Sequence, residues 1–205
     1  MKVLMINGSP HAKGNTYVAL NEMRQIFEAE GVEVIWKQVG NQAIRGCIGC
    51  NRCVELGKCV FDDMVNECRA DFEACDGMVI GTPVYYASAN GTLVSFLDRL
   101  FYSSRIDKRM KVGASVAVAR RGGTTATFDE LNKYFTISNM PIASSRYWNM
   151  VHGAAPGEAA EDAEGLQTMR NLARNMVFLM RGIALAKETY GMPESEKTVF
   201  TNFVR

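Results

Sequence analysis

The chain has no long apolar run. Its hydrophobic stretches are broken by Gly or Pro, and none approaches the roughly 20 residues needed to cross a bilayer. Charge of one sign is also missing. Lys and Arg number 23 against 22 Asp and Glu, a formal net charge of +1, so the balance argues for neither nucleic acid nor an anionic membrane as partner. The apolar run at the N-terminus covers only about five residues after Lys2, too short for a signal-peptide core, and a cytoplasmic location is expected. Histidine is scarce, with two in 205 residues. There is no internal repeat, no low-complexity tract, no Gly-x-Gly-x-x-Gly fingerprint and no Walker A loop. Those absences disfavour a classical dinucleotide fold and a nucleotide triphosphatase.

What is present is ordinary globular material, 47% hydrophobic and 22% charged, enough for one sizeable core. Short apolar runs alternate with helical patterns. Lys2–Ile6 reads as a first strand, apolar on both faces as in a central parallel strand. Residues 15–30 place Ala19, Met23, Ile26 and Phe27 at helical spacing, and Gly31 ends that helix. Residues 32–39 read as a second strand, 77–81 as a third, 112–119 as a fourth and 141–147 as a weaker fifth. Helices are expected at 63–74 with Asp63 as cap, around Leu93–Phe101, at 126–136 and at 166–185. Five strands alternating with helices imply an α/β fold with a doubly wound, five-stranded parallel sheet. One domain is expected over residues 1–186, followed by a C-terminal tail at 187–205. In such sheets ligands lie beyond the carboxyl ends of the strands.

The loop after the first strand is Gly8-Ser9-Pro10-His11-Ala12-Lys13-Gly14-Asn15-Thr16. The glycines allow close backbone approach, Ser9, Asn15 and Thr16 offer side-chain donors, and a helix N-terminus favours an anion. These are the parts of a phosphate cradle; the bland alternative is a polar turn with Asn15 as N-cap. After the third strand, Gly81-Thr82-Pro83-Val84-Tyr85-Tyr86 brings aromatic surface and backbone amides to the same edge, as a flavin ring requires. After the fourth, Arg120-Arg121-Gly122-Gly123 supplies positive charge able to face a reduced flavin or a nucleotide substrate, or only a solvated turn.

Cys47-x2-Cys50-x2-Cys53-x5-Cys59 is the sharpest motif. Four of six cysteines fall within thirteen residues, which in a reducing compartment suggests metal or redox chemistry over a disulfide framework. Thiolates at this spacing suit an iron–sulfur cluster. Zinc is a rival, though its sites usually pair two distant Cys-x2-Cys units, and a loop of free thiols at a subunit interface is the third reading. Cys68 and Cys75 are expected as small core residues, Trp148 as core packing ahead of covering a flavin or an interface, and His152 at the surface.

Together the motifs at residues 8–16, 81–86 and 120–123, with Leu97-Asp98-Arg99, Tyr147-Trp148-Asn149 and the Pro156-Gly157-Glu158 stretch, resemble those of NAD(P)H-dependent FMN reductases of the flavodoxin superfamily. Within them the iron–sulfur flavoprotein-like subgroup is most similar. The resemblance implies a flavodoxin-like fold with strand order 2-1-3-4-5, bound FMN, NAD(P)H as co-substrate, and a homodimer or homotetramer. It implies phosphate contacts from Ser9, His11, Asn15 and Thr16. His11 departs from the Arg or Lys usual there. Pro83, Val84, Tyr85 and Tyr86 would line the isoalloxazine, with Arg120, Gly122 and Gly123 on its other side. Cys47, Cys50, Cys53 and Cys59 would hold a [4Fe-4S] cluster if one is present. The implied activity is hydride transfer from a nicotinamide to FMN and on to a small acceptor such as a quinone, nitro or azo compound. The alternatives are an electron-transfer module exchanging single electrons with protein partners, and a flavin-binding sensor. Since the flavin carries the reactivity, no side-chain acid or base is assigned.

Overall fold

Burial alternates along the first strand, and that alternation organises the domain. In β1 (Lys2–Asn7), Val3 and Met5 enter one core and Leu4 and Ile6 the other, the period-2 division of a strand covered on both faces. The computed structural model describes residues 1–201. After β1 come α1 (Asn15–Ala29), β2 (Glu33–Gln38), a four-residue α2 (Cys53–Leu56), α3 (Met64–Ala74), β3 (Gly77–Tyr85), a two-residue β4 (Ser88–Ala89), α4 (Gly91–Ser103), β5 (Val112–Ala119), α5 (Thr124–Ile137), β6 (Met150–His152), a turn of 3-10 helix at Glu158–Glu161, and α6 (Ala163–Tyr190).

The parallel strands run in the order β2-β1-β3-β5-β6, and β4 pairs antiparallel with β3. Numbering only the parallel strands, this is the expected 2-1-3-4-5. The order reverses between β1 and β3, so the loops leaving those two strands flank a crevice. One face is covered by α1 and α6, with Leu20, Met23 and Phe27 meeting Leu172 and Met176. The other is covered by α3, α4 and α5 through Phe72, Phe96, Leu97, Leu100 and Phe135.

Three expectations change. The fifth parallel strand lies at Met150–His152, not 141–147, where only Ile142 bridges to Gly113. There the chain turns over itself, with Ser145 donating to Tyr147 O and to Asn149 Oδ1. Trp148 is half exposed against Tyr147, their rings 5.2 Å apart, and is not core. The third strand continues four residues past Gly81, because Thr82 and Pro83 still pair with Ala117 and Val118. Cys68 and Cys75 are buried, as expected, and His152 is exposed. Position 186 lies inside α6, which runs on to Tyr190.

Candidate functional site

The carboxyl ends of β1, β3 and β5 open on a cavity of about 690 Å3, lined by residues 9–16, 83–85 and 118–120 and by Gly153, Ala154 and Pro156. That volume lies in the range of roughly 300–1,000 Å3 usual for cofactor sites. Its floor is α1's first turn. Gly14 is the N-cap and makes no side-chain cap, and the first amide to find a helical acceptor is that of Val18, on Gly14 O. The N–H groups of Asn15, Thr16 and Tyr17 therefore have no acceptor among the described residues. By contrast α3, α4 and α6 are capped by Asp63, Asn90 and Asp162. Unmet donors at a positive helix end, opening on a cavity, form an anion site.

Neighbouring polar groups fix the loop above this helix end. Ser9 N donates to Asn7 Oδ1 at 3.0 Å, Asn7 Nδ2 to Gln38 Oε1 at 2.8 Å, and Gln38 Nε2 to Ser9 O at 2.6 Å. Gly8 N donates to Gly81 O at 2.7 Å, and Asn90 Nδ2 to Gly8 O, also at 2.7 Å. His11 N donates to Ser9 Oγ at 3.1 Å, which leaves the serine O–H free to donate outward. Gly40 packs so tightly against this loop that a Cβ there would stand 2.2 Å from Gly8 O and 2.3 Å from the Ser9 carbonyl carbon.

The structure gathers Ser9, His11, Asn15, Thr16, Pro83, Val84, Tyr85 and Arg120 around this cavity. It does not bring in Tyr86, Gly122 or Gly123. Tyr86 is fully exposed at the tip of the β3–β4 hairpin, where Tyr86 and Ala87 both have positive φ, 52° and 58°. Two such residues between paired Tyr85 and Ser88 make a type I′ turn. Gly123, at φ 93°, lies directly behind it, and a Cβ there would meet Val84 and Ala87 at 2.9 Å. Glu130 anchors the hairpin by accepting from Ser88 Oγ and Ala89 N. Asn15 is in the first helical turn and not the cap. Its side chain spans to the opposite wall, donating to Ala155 O at 2.9 Å and accepting from Ala159 N at 3.1 Å.

That wall, residues 153–156, was not legible as site. Its amides at Ala154 and Ala155 donate to the Glu158 carboxylate, and those bonds, Ala155's first, hold Glu158 below the usual carboxylate range. Asn90 and Gln38 were also missed. Asn90 carried a signal, an Asn directly before an apolar helical pattern.

All four loop cysteines line a second, much smaller recess of about 20 Å3, closed by Phe61, Arg99 and Tyr102. Cys47 and Cys50 are exposed, Cys53 is buried and Cys59 partly so. Among the described residues no three metal-ligating side chains close round one point, as zinc would need with thiolates roughly 3.8 Å apart. Cluster thiolates bind different irons and stand further apart. Four thiols lining one recess supply the donor chemistry of such a cluster, but among the described residues they do not form a closed ligand set. The recess itself has room for little more than a water, so the exposed Cys47–Cys50 side is the part that would have to open.

The model of the NADPH-dependent FMN reductase family matches residues 1–155. An iron-sulfur flavoprotein of Methanocaldococcus jannaschii is 33% identical over 193 residues, covering 88% of this chain and 98% of its own. Among solved structures, RosB bound to 8-demethyl-8-formylriboflavin-5'-phosphate superposes with TM-score 0.75 at 14% identity, covering 100% of this chain and 92% of its own. An NAD(P)H:quinone oxidoreductase of Methanothermobacter marburgensis gives 0.66 at 15% identity, with 86% and 96% covered. At those identities the structures speak for the flavodoxin-like fold alone. The extended sequence match, over a chain whose sheet edge offers a phosphate-sized set of free amides, is decisive: this protein belongs to the NADPH-dependent FMN reductase family of flavin oxidoreductases, on its iron–sulfur flavoprotein-like side.

Proposed function

We propose that the chain takes hydride from NAD(P)H onto FMN and passes the electrons to a small acceptor of the quinone, nitro or azo class. The observation that carries this reading is α1's uncapped N-terminus, three free amides facing a cavity of about 690 Å3. Bound FMN would supply the redox chemistry, accepting a hydride and releasing electrons in pairs or singly. The protein's part is binding, orientation and charge. The amides of Asn15, Thr16 and Tyr17 and the Ser9 hydroxyl would hold the phosphate. Pro83, Val84 and Tyr85 would flank the ring from β3, and the exposed Arg120 at the end of β5 would offset negative charge on the reduced ring. The Asn7–Gln38–Asn90 network keeps the phosphate loop from relaxing when the site empties.

A second reading is favoured by the four-thiol recess. Cys47, Cys50, Cys53 and Cys59 would hold a [4Fe-4S] cluster, supplying single-electron exchange with a protein partner. Anaerobic mixing of the flavin-loaded protein with NADH or NADPH separates the two. Rapid bleaching of the flavin absorbance by either donor supports the reductase, and silence with both favours the carrier. We further infer a homo-oligomer, supported by the exposed Phe178, Leu185 and Tyr190 along α6. A cytoplasmic location is supported by six free cysteines. No helix among the described residues is long and apolar enough to cross a membrane.

A further inference from the structure

Arg99 belongs to the Leu97-Asp98-Arg99 motif and has no part in the flavin cavity. Among the described residues it is the largest fully buried side chain, 1% exposed, in the middle of α4. A buried guanidinium is costly unless its fork of donors is met. Nη1 and Nη2 donate to the two oxygens of Asp63 at 2.7 and 2.9 Å. They also approach the carbonyls of Arg45 and Phe61, at 3.3 and 3.4 Å. Two guanidinium groups stand within cation–π reach of the Phe61 ring, Arg45 at 4.6 Å and Arg99 at 5.1 Å. The remaining donor, Nε–H, points at the sulfur of Cys59, 3.3 Å away.

Cys59 is held from its backbone as well. Its N–H donates to Asn66 Oδ1 at 2.9 Å, and Asn66 Nδ2 donates back to the carbonyls of Cys59 and Phe61, both at 3.0 Å. One loop cysteine is thus fixed at its main chain and at its sulfur, while Cys47 and Cys50 stay open to solvent. A thiol is a weak acceptor and a thiolate a strong one. The carboxylate of Asp63 already balances the charge of Arg99, so the Nε–H bond has no other anion to serve.

We propose that Arg99 is a positioning residue for the iron–sulfur cluster: its Nε–H fixes the Cys59 sulfur as a ligand and, by donating to that sulfur, raises the cluster's reduction potential. The proposal rests on the cluster reading above. Hydrogen bonds to ligating sulfurs stabilise the extra negative charge of the reduced cluster, which makes reduction easier.

The test uses the full chain purified anaerobically. Iron and acid-labile sulfide on the unaltered protein decide the cluster reading; their absence overturns it and this proposal together. With the cluster present, the protein is grown with 15N-arginine, reduced, and examined by pulsed EPR. One weakly coupled arginine nitrogen is expected, and no coupling overturns the proposal. Arg99→Lys keeps the charge beside Asp63 and removes the Nε donor. Its FMN content should match the parent, its nitrogen coupling should vanish, and the midpoint of whatever cluster it retains should move to a more negative potential. A loaded R99K cluster titrating at the parent's potential overturns the proposal. If R99K does not fold, the coupling in the parent decides.

Discussion

Cys68 and Cys75 share a residue type with the loop cysteines and little else. Burial pushes the Cys68 thiol up to about 12 and the Cys75 thiol up to about 11, with Lys37 and Lys111 respectively opposing it. A thiol reacts as its anion, and at pH 8 those values leave about one part in 10^4 and one in 10^3 ionised. Raising the pH raises that fraction tenfold per unit, so reactivity would return only in strong alkali. In metal-free, folded protein, iodoacetamide at pH 8 should modify the exposed Cys47 and Cys50 and spare Cys68 and Cys75. Mass mapping checks this, and early alkylation of Cys68 would contradict it. Ala87 offers a second single-residue test. Its φ of 58° costs an L-residue about 1 kcal/mol that glycine avoids. Ala87→Gly should raise stability by about that amount and Tm by roughly 2–4 °C, read by thermal melting of the FMN-free protein.

Among elements, the phosphate loop is the most constrained, and its constraint comes from outside itself. Gly40→Ala would drive a methyl into the backbone of Gly8 and Ser9, displacing the cradle while leaving both cores untouched. FMN affinity should fall at least about tenfold, roughly 1.4 kcal/mol, with cooperative unfolding retained; a flavin-fluorescence titration measures it. Asn90→Ala removes the donor to Gly8 O and α4's cap together, and should cost about 1–3 kcal/mol in chemical denaturation. The elements themselves were largely readable. The double burial of β1, the helical spacing of α1 and the glycines of the 8–16 loop sufficed to place the sheet edge and the phosphate end of the cavity. What was not readable depended on distant partners. The β3–β4 hairpin lacks the Asn-Gly signature of its turn and persists because Glu130 and Gly123 hold it from α5. A three-residue β6 is too short to show periodicity, and the single bridge at Ile142, flanked by bonds from Gly113 N to Pro141 O and from Ala143 N to Gly113 O, does not extend into a strand. The side chain of Asn15, read as a donor to the phosphate or else as a cap, instead reaches 140 residues along the chain to Ala155, a role that leaves no local trace.

At the scale of the molecule, α6 outruns the domain it packs on. Its 28 residues rise about 42 Å. The first half is anchored by Met169, Leu172 and Met176, whereas residues 184–190 are exposed throughout. The exposed Phe178 and Leu185 are seven residues, two turns, apart on one stripe. If that stripe joins copies of the chain, light scattering on the parent should give a multiple of 22.7 kDa, and Leu185→Glu should lower the mass towards a single chain without altering FMN content. A parent that is monomeric at all concentrations would remove the basis for the proposed oligomer.

Helix α4 reaches both the flavin cavity's loop and the cysteine recess. At its head Asn90 grips the carbonyl of Gly8 in the phosphate loop, and nine residues further on Arg99 grips the sulfur of Cys59. Nine residues of α-helix amount to a rise of about 13.5 Å. The helix therefore works as a ruler, setting the interval between the 8–16 loop and the cysteine recess by residue count. Adding one alanine between Val94 and Ser95 would lengthen the interval by about 1.5 Å and swing everything beyond it by about 100°. The spacing and orientation of the two regions are thus a single inherited quantity, which cannot drift gradually as loop lengths can.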